Sequence, residues 1–132
     1  MIDQARLGAI ALFAQLTPDE LRRLAENAVE ETYETGRTLV REGDFSTDLY
    51  VIEDGSADVV RQGETVGTLG PGDVVGEIGV IEKQQRTADV LTTLPTRVIR
   101  VNHWEVKRLA VSSRRRIAEL AQQRREQDRL RD

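Results

Sequence analysis

The chain has 132 residues, 39% of them hydrophobic, enough for one domain with a real core. It has no cysteine, which excludes disulfides, thiol catalysis and thiolate metal sites, and no apolar run approaches the roughly 18 residues that a bilayer span needs. The net charge of −4 is unevenly spread, with 8 basic and 18 acidic side chains in residues 1–96 against 11 and 5 in residues 97–132.

In chain order, residues 1–30 read as the helical zone. Within it "LTPDELRRLAENAV" has Thr17 as an N-cap, Pro18 at the first helical position and Glu20 to close a capping box. Leu21, Leu24, Ala25 and Ala28 then fall on one face. Nine of the ten glycines lie between Gly36 and Gly79, and the zone 36–101 is expected to be β. Its short β-branched runs are 37–41, 48–53, 57–62, 64–69, 73–76, 88–93 and 96–101, seven strands that fit a barrel or a double sheet. Asp54-Gly55 and Gln62-Gly63 mark tight hairpin turns, and Gly70-Pro71-Gly72 a sharper corner. Residues 102–132 return to helix. Asn102 with Glu105 caps a short segment bearing Val106, Leu109 and Ala110, and a second helix follows Ser112 or Ser113 with Ile117, Leu120 and Ala121 apolar. Trp104 lies off the apolar stripe, so it either tucks against the N-terminal helices, the favoured reading, or presents an aromatic to a partner. The arginines of "SSRRRIAELAQQRREQDRLRD" alternate with Glu119, Glu126 and Asp128, which reads as a solvated helix face and not as a nucleic-acid surface.

A barrel flanked by helices hosts many functions, so chemistry has to come from side chains. The single histidine, His103, leaves no set of imidazoles for a catalytic metal; it is the one base a Ser–His–acid set could recruit, but no elbow motif lies near any serine and it reads as a surface residue at a helix start. The expectation is therefore no enzyme, no metal and no cofactor.

The stretch "GEIGVIEKQQRTADV", residues 76–90, is where polar groups look purposeful. Gly76 and Gly79 allow close backbone approach, and a single helical turn there would present N–H groups to an anion. Arg86 could grip the same anion with two donors, whereas Glu77 demands a donor such as a hydroxyl. An anion beside a hydroxyl describes a sugar phosphate; a plain Glu77–Arg86 salt bridge is the structural alternative.

Four ordered motifs, "LFAQLTPDELRRLA", "REGDFSTDLYVIEDGSADV", "LGPGDVVGE" and "GEIGVIEKQQRTADV", make the chain resemble the cyclic nucleotide-binding domain family of catabolite activators, cyclic-nucleotide-dependent kinases and gated channels. The resemblance runs nearly end to end and implies a single domain over 1–132. Its implied fold is mainly β, a jelly-roll β-barrel of the cupin-like double-stranded β-helix kind, with N-terminal helices and C-terminal lid helices. It also implies that Glu77 accepts from the ribose 2′-hydroxyl and Arg86 pairs with the cyclic phosphate. Amides near Ile78, Gly79 and Ala88 complete the cradle, and Thr87 contacts phosphate or purine. Two positions depart from the family pattern: Gln85 stands where proline often precedes the arginine, and Asp89 follows Ala88 where a small or threonine residue is common. Strand alternation turns Ala88 and Val90 inward and Asp89 outward. The implied ligand is cAMP in preference to cGMP, with Ile117 or Leu120 capping the base, Val106 and Leu109 packing on the barrel, and an effector protein or domain contacted by the C-terminal helices. No nucleic acid or membrane partner is expected, and the expected location is cytoplasmic. The reading from another class is an unliganded jelly roll serving as an interaction scaffold.

Overall fold

The computed structural model describes residues 2–43, 48–75 and 88–130. Two short helical pieces come first, α1 (Gln4–Gly8) and a 3-10 turn (Ala11–Phe13), followed by α2 (Pro18–Asn27). The expected capping box is present: Thr17 Oγ1 accepts from Glu20 N at 3.2 Å, and Glu20 Oε1 accepts from Thr17 N at 3.2 Å. Leu24 and Ala25 are buried, as are Leu7, Leu12 and Phe13 of the preceding pieces.

Eight strands follow: β1 (Val29–Tyr33), β2 (Thr38–Val40), β3 (Leu49–Asp54), β4 (Ala57–Arg61), β5 (Glu64–Leu69), β6 (Val74–Val75), β7 (Asp89–Thr92) and β8 (Thr96–Val101). They form two antiparallel four-stranded sheets, β1-β8-β3-β6 and β2-β7-β4-β5. The fold is mostly β with a few helices, as the sequence implied, but the closed barrel is corrected: the sheets do not join. Each outer strand pairs on one side, β1 with β8, β6 with β3, β2 with β7 and β5 with β4, so among the described residues no ladder runs from one sheet to the other. Closure needs edges long enough to bond across the seam, and the edge strand β2 is three residues long with a shift in its register. The seven expected strands all appear, and β1 is additional. Its sequence, "VEETY", carries charge on an exposed edge and lies partly inside the zone read as helix.

Direct partners in an antiparallel ladder share a face, which assigns the core. One face of the first sheet turns Leu49, Val51, Ile99 and Val101 towards the helices, where they meet Leu7, Leu12, Phe13, Leu24 and Ala25. The other turns Tyr50, Ile52, Val75 and Val98 towards Leu39, Val40, Ala57 and Val90 of the second sheet. Covered on both sides, β3 reads as the unbroken run Leu49-Tyr50-Val51-Ile52 instead of an alternation. Two bends hold the hairpins in register. Gln62 and Gly63 both have positive φ (52° and 81°), which suits the twist of a two-residue hairpin. At Gly55 (φ +103°) an added Cβ would lie 2.5 Å from Thr96 Oγ1 and 2.6 Å from the Pro95 carbonyl, so only glycine fits.

After β8 come α3 (His103–Lys107) and the twenty-residue α4 (Val111–Leu130). Asn102 caps α3 as expected, accepting from Trp104 N at 2.8 Å. Val106, Leu109 and Ile117 are buried in the helix-side cluster, with Ala118 and Leu120 packed against it; Ala110 is exposed. Trp104 does not tuck against the N-terminal helices. It is 57% exposed, and the Lys107 ammonium sits 5.0 Å from its ring centroid. With only five residues and its buried positions taken by Val106 and, just beyond, Leu109, α3 directs Trp104 outwards.

Candidate functional site

The residues singled out by sequence divide sharply. Gly76, Glu77, Ile78, Gly79, Arg86 and Thr87 lie outside the described residues; Ala88 lies within them and is buried at 7% exposure. What the structure describes is the frame to which residues 76–87 are attached.

That frame is asymmetric. The last described residue before the stretch, Val75, is an edge position of the first sheet whose partner is Tyr50 on β3. After the stretch, β7 begins at Asp89 in the second sheet between β2 and β4, with Val90 opposite both Val40 and Val59. The two ends of the stretch are thus held by different sheets, and both inner-face anchors, Val75 and Val90, belong to the apolar layer between them.

The entry side is positioned by the expected Gly70-Pro71-Gly72 corner. Gly72 N donates to the Ile52 carbonyl at 2.7 Å and Ile52 N to the Asp73 carbonyl at 2.9 Å, which lays the corner along β3. Asp73, 5% exposed, turns its carboxylate back to accept from Gly70 N at 2.7 Å. Sequence reading passed over this aspartate; the signal available was an acid three residues after a turn glycine, where it can accept from that glycine's amide.

The exit side follows strand alternation. Ala88 and Val90 are buried and Asp89 is half-exposed. Asp89 Oδ1 accepts from Glu42 N at 2.6 Å on the outer face of the sheet, and Glu42 Oε2 in turn accepts from Gln62 N at 3.4 Å. The departure at position 89 therefore ties the turn after β2 and the β4–β5 hairpin to the first residue of β7.

Beside that exit the inner wall is apolar. Val59 lies opposite Val90 on one side and Gly67 on the other, and Leu69 packs on the same layer. A Cβ added at Gly67 would meet nothing within 4 Å among the described residues, so the wall is recessed there. Among the described residues this part of the wall is lined by apolar side chains.

A polar cluster crosses the inner face of the first sheet level with Val75. Val29, Arg100, Tyr50 and Val75 form one cross-strand row. Arg100 pairs with Glu31 at 3.5 Å and Asp48 at 3.7 Å, and Tyr33 Oη donates to Glu31 Oε1 at 3.3 Å. Burial, reinforced by the nearby Glu31 carboxylate, pushes the Tyr33 phenol up to about 12. Sequence reading did not single out this group, whose members, Tyr33, Glu31, Asp48 and Arg100, come from three separate segments of the chain.

Of the two residues expected to cap a base, Ile117 is 2% exposed in the cluster between the helices and the outer side of the first sheet, and Leu120 packs on that cluster. In this arrangement both are committed to the helices. Among the described residues no group of three His, Cys, Asp or Glu could hold a metal ion, and no helix is long and apolar enough to cross a membrane.

Comparisons with known proteins bear on this frame directly. A family model described as "Cyclic nucleotide-binding domain" matches residues 30–113, a span that holds all the strands but the first residue of β1, as well as α3. The cAMP-dependent protein kinase regulatory subunit of Schizosaccharomyces pombe is 32% identical over 91 residues, 68% of this chain and 22% of that protein. A cGMP-dependent protein kinase of Drosophila melanogaster, isozyme 2, is 29% identical over 89 residues, 67% of this chain and 8% of that protein. This chain therefore spans less than a quarter of either relative. A solved structure from Geobacter metallireducens, described as a candidate cyclic nucleotide-binding protein, superposes with a TM-score of 0.79 at 25% identity, covering 92% of this chain and 98% of that one.

Proposed function

This chain belongs to the cyclic nucleotide-binding domain family, and we propose that it is a cytoplasmic sensor that binds a cyclic nucleotide, cAMP in preference to cGMP, and catalyses no reaction itself. The match over residues 30–113 carries the proposal, because it includes the whole of 76–90 together with the strands that anchor both ends.

In this reading Arg86 pairs with the cyclic phosphate, and Glu77 accepts from the ribose 2′-hydroxyl. The amides of Ile78, Gly79 and Ala88 complete the anion cradle, Gly76 lets the backbone come close, and Thr87 touches phosphate or purine. A cradle of backbone donors and one guanidinium suits a singly charged phosphodiester. The apolar wall at Val59, Gly67 and Val90, open above Gly67, supports placing the base there. Asp89 supports the same reading by facing away from the interior, where its charge would oppose a phosphate. The output is a change in how α3 and α4 sit, passed to an effector protein or domain.

Calorimetric titration with cAMP and with cGMP tests this. We expect binding of both, tighter for cAMP, and in Arg86→Ala an affinity lower by roughly 30-fold to several thousand-fold, from the about 2–5 kcal/mol that loss of a buried charged partner costs. No binding of either nucleotide at millimolar concentration would leave the unliganded scaffold as the function. Unchanged affinity in Arg86→Ala would put the phosphate elsewhere.

A further inference from the structure

Helix α4 begins without a cap of its own. The residue before it is Ala110, whose carbonyl accepts an early helical bond from Arg114 N at 3.0 Å. Its methyl side chain offers no oxygen, and alanine ranks among the poor N-cap residues.

The Ala110 amide and the Ser113 hydroxyl find their acceptor instead on a helix distant in sequence. Glu20, the third residue of α2, accepts from Ala110 N at 3.2 Å through Oε2 and from Ser113 Oγ at 3.0 Å through Oε1. These partners are 90 and 93 residues away in sequence. The same Oε1 accepts from Thr17 N at 3.2 Å, closing the capping box of α2 itself. One carboxylate thus serves the first turns of two helices, and its negative charge lies at the positive end of both dipoles. Partial burial works against the charged form, yet the bonds from Thr17, Ala110 and Ser113 outweigh it and hold the carboxyl below its ordinary range.

Other contacts of α4 are to the 3-10 turn and to β5. Of its side chains that the structure describes, Ile117 is buried and Ala118 and Leu120 are partly so, while Arg116 Nε donates to Gln15 Oε1 at 3.1 Å on an exposed surface. Among the described residues the apolar stripe of α4 is short, so a polar joint at its start adds materially to its attachment.

We propose that Glu20 is the joint through which the N-terminal helices hold α4, so that a single carboxylate sets the balance between its docked and released positions. Release of α4 breaks the bonds to Ala110 and Ser113 and leaves the α2 box intact, which lets the C-terminal helix move without unfolding its support. If α4 is the output of nucleotide binding, as proposed above, Glu20 sets how readily it answers; the joint itself requires no nucleotide.

Amide-resolved hydrogen exchange on the full chain without nucleotide tests the joint separately from the ligand reading. In Glu20→Ala the Ala110 and Arg114 amides should exchange roughly five- to thirtyfold faster, the equivalent of losing a helix cap, while Ile99 in β8 keeps its rate. Ser113→Ala should shift the same amides in the same direction by less. Thr17→Ala should speed the Glu20 amide and leave Ala110 as it is. Unchanged Ala110 exchange in Glu20→Ala overturns the proposal, as does an equal rise there in Thr17→Ala, which would signal general loosening. Should Glu20→Ala not fold, Glu20→Gln and Ser113→Ala read the same amides, and no change in either overturns it equally.

Discussion

A carboxylate that accepts from a ribose hydroxyl loses its task when that hydroxyl is removed, which makes the role assigned to Glu77 testable by ligand as well as by mutation. We expect Glu77→Gln to weaken cAMP binding by about tenfold, the order of one hydrogen bond to a charged group, and to change affinity for 2′-deoxy-cAMP little. Calorimetry with the two ligands checks this, and equal losses on both would indicate damage to the fold instead. Asp89 shows how one residue's neighbours change its meaning. In sequence it is an acid three positions from the arginine; in the structure its carboxylate holds the Glu42 amide on the outer face, away from the interior between the sheets. Strand alternation anticipated that direction. The partner that makes it useful, 47 residues away, was not open to any local reading.

At the scale of elements, turn chemistry was the most legible feature. Asp54-Gly55, Gln62-Gly63 and the Gly70-Pro71-Gly72 corner all fall where glycine content placed them, because a positive φ is a demand that few residues meet. The two hairpin glycines nonetheless differ in a way that only packing reveals. A side chain at Gly55 would collide with Thr96 and the Pro95 carbonyl, whereas one at Gly63 would meet nothing within 4 Å. Gly63→Ala should therefore lose only the backbone term, about 1 kcal/mol, and Gly55→Ala at least about 3 kcal/mol. Urea unfolding of both variants checks the difference, and equal losses would mean that backbone conformation alone sets the cost. Strand β1 was overlooked for a physical reason: its Glu30 and Glu31 lie on a sheet edge, so it lacks the apolar signature of its neighbours and follows a helix without a glycine or proline break.

For the whole molecule, the joining of helices to sheet rests on a charged group as well as on the apolar cluster. Arg6 of α1 donates from Nε to Glu53 Oε2 on β3 at 2.6 Å and also pairs with Glu30 on β1, while Arg97 Nε on β8 donates to Glu53 Oε1 at 2.9 Å. Three strands and a helix thus share one network centred on Glu53, whose side chain is 14% exposed. The Arg6 bond, helped by Arg97 and opposed by burial, holds the Glu53 carboxyl below its ordinary range. A carboxyl depressed in the folded state stabilises the fold above its unfolded pKa, near 4.3, and loses that contribution as pH falls through the lower folded value. Glu53→Gln should therefore cost about 1–3 kcal/mol at pH 7, and the gap from the parent protein should close as pH falls below about 4. Thermal unfolding of both proteins at neutral and acid pH checks this, and a gap that stays constant would mean that the network contributes no charge-dependent stability.

The sequence by itself determined the secondary structure wherever a short-range constraint acts: the Thr17 capping box, the Asn102 cap, the glycine turns and the apolar runs. It also determined the family, because the spacing of four motifs survives without any knowledge of contacts. Tertiary structure decided what depends on distant partners. That the strands form two sheets with open edges and not a barrel depends on edge lengths and pairing, and that Ile117 faces the helices depends on which surface was left for it to cover. Trp104 is exposed because Val106 and Leu109 took the buried positions. Glu20 was legible as the cap of its own helix, but its second bond, to Ala110, exists only because folding brings the two ends of the chain to one place.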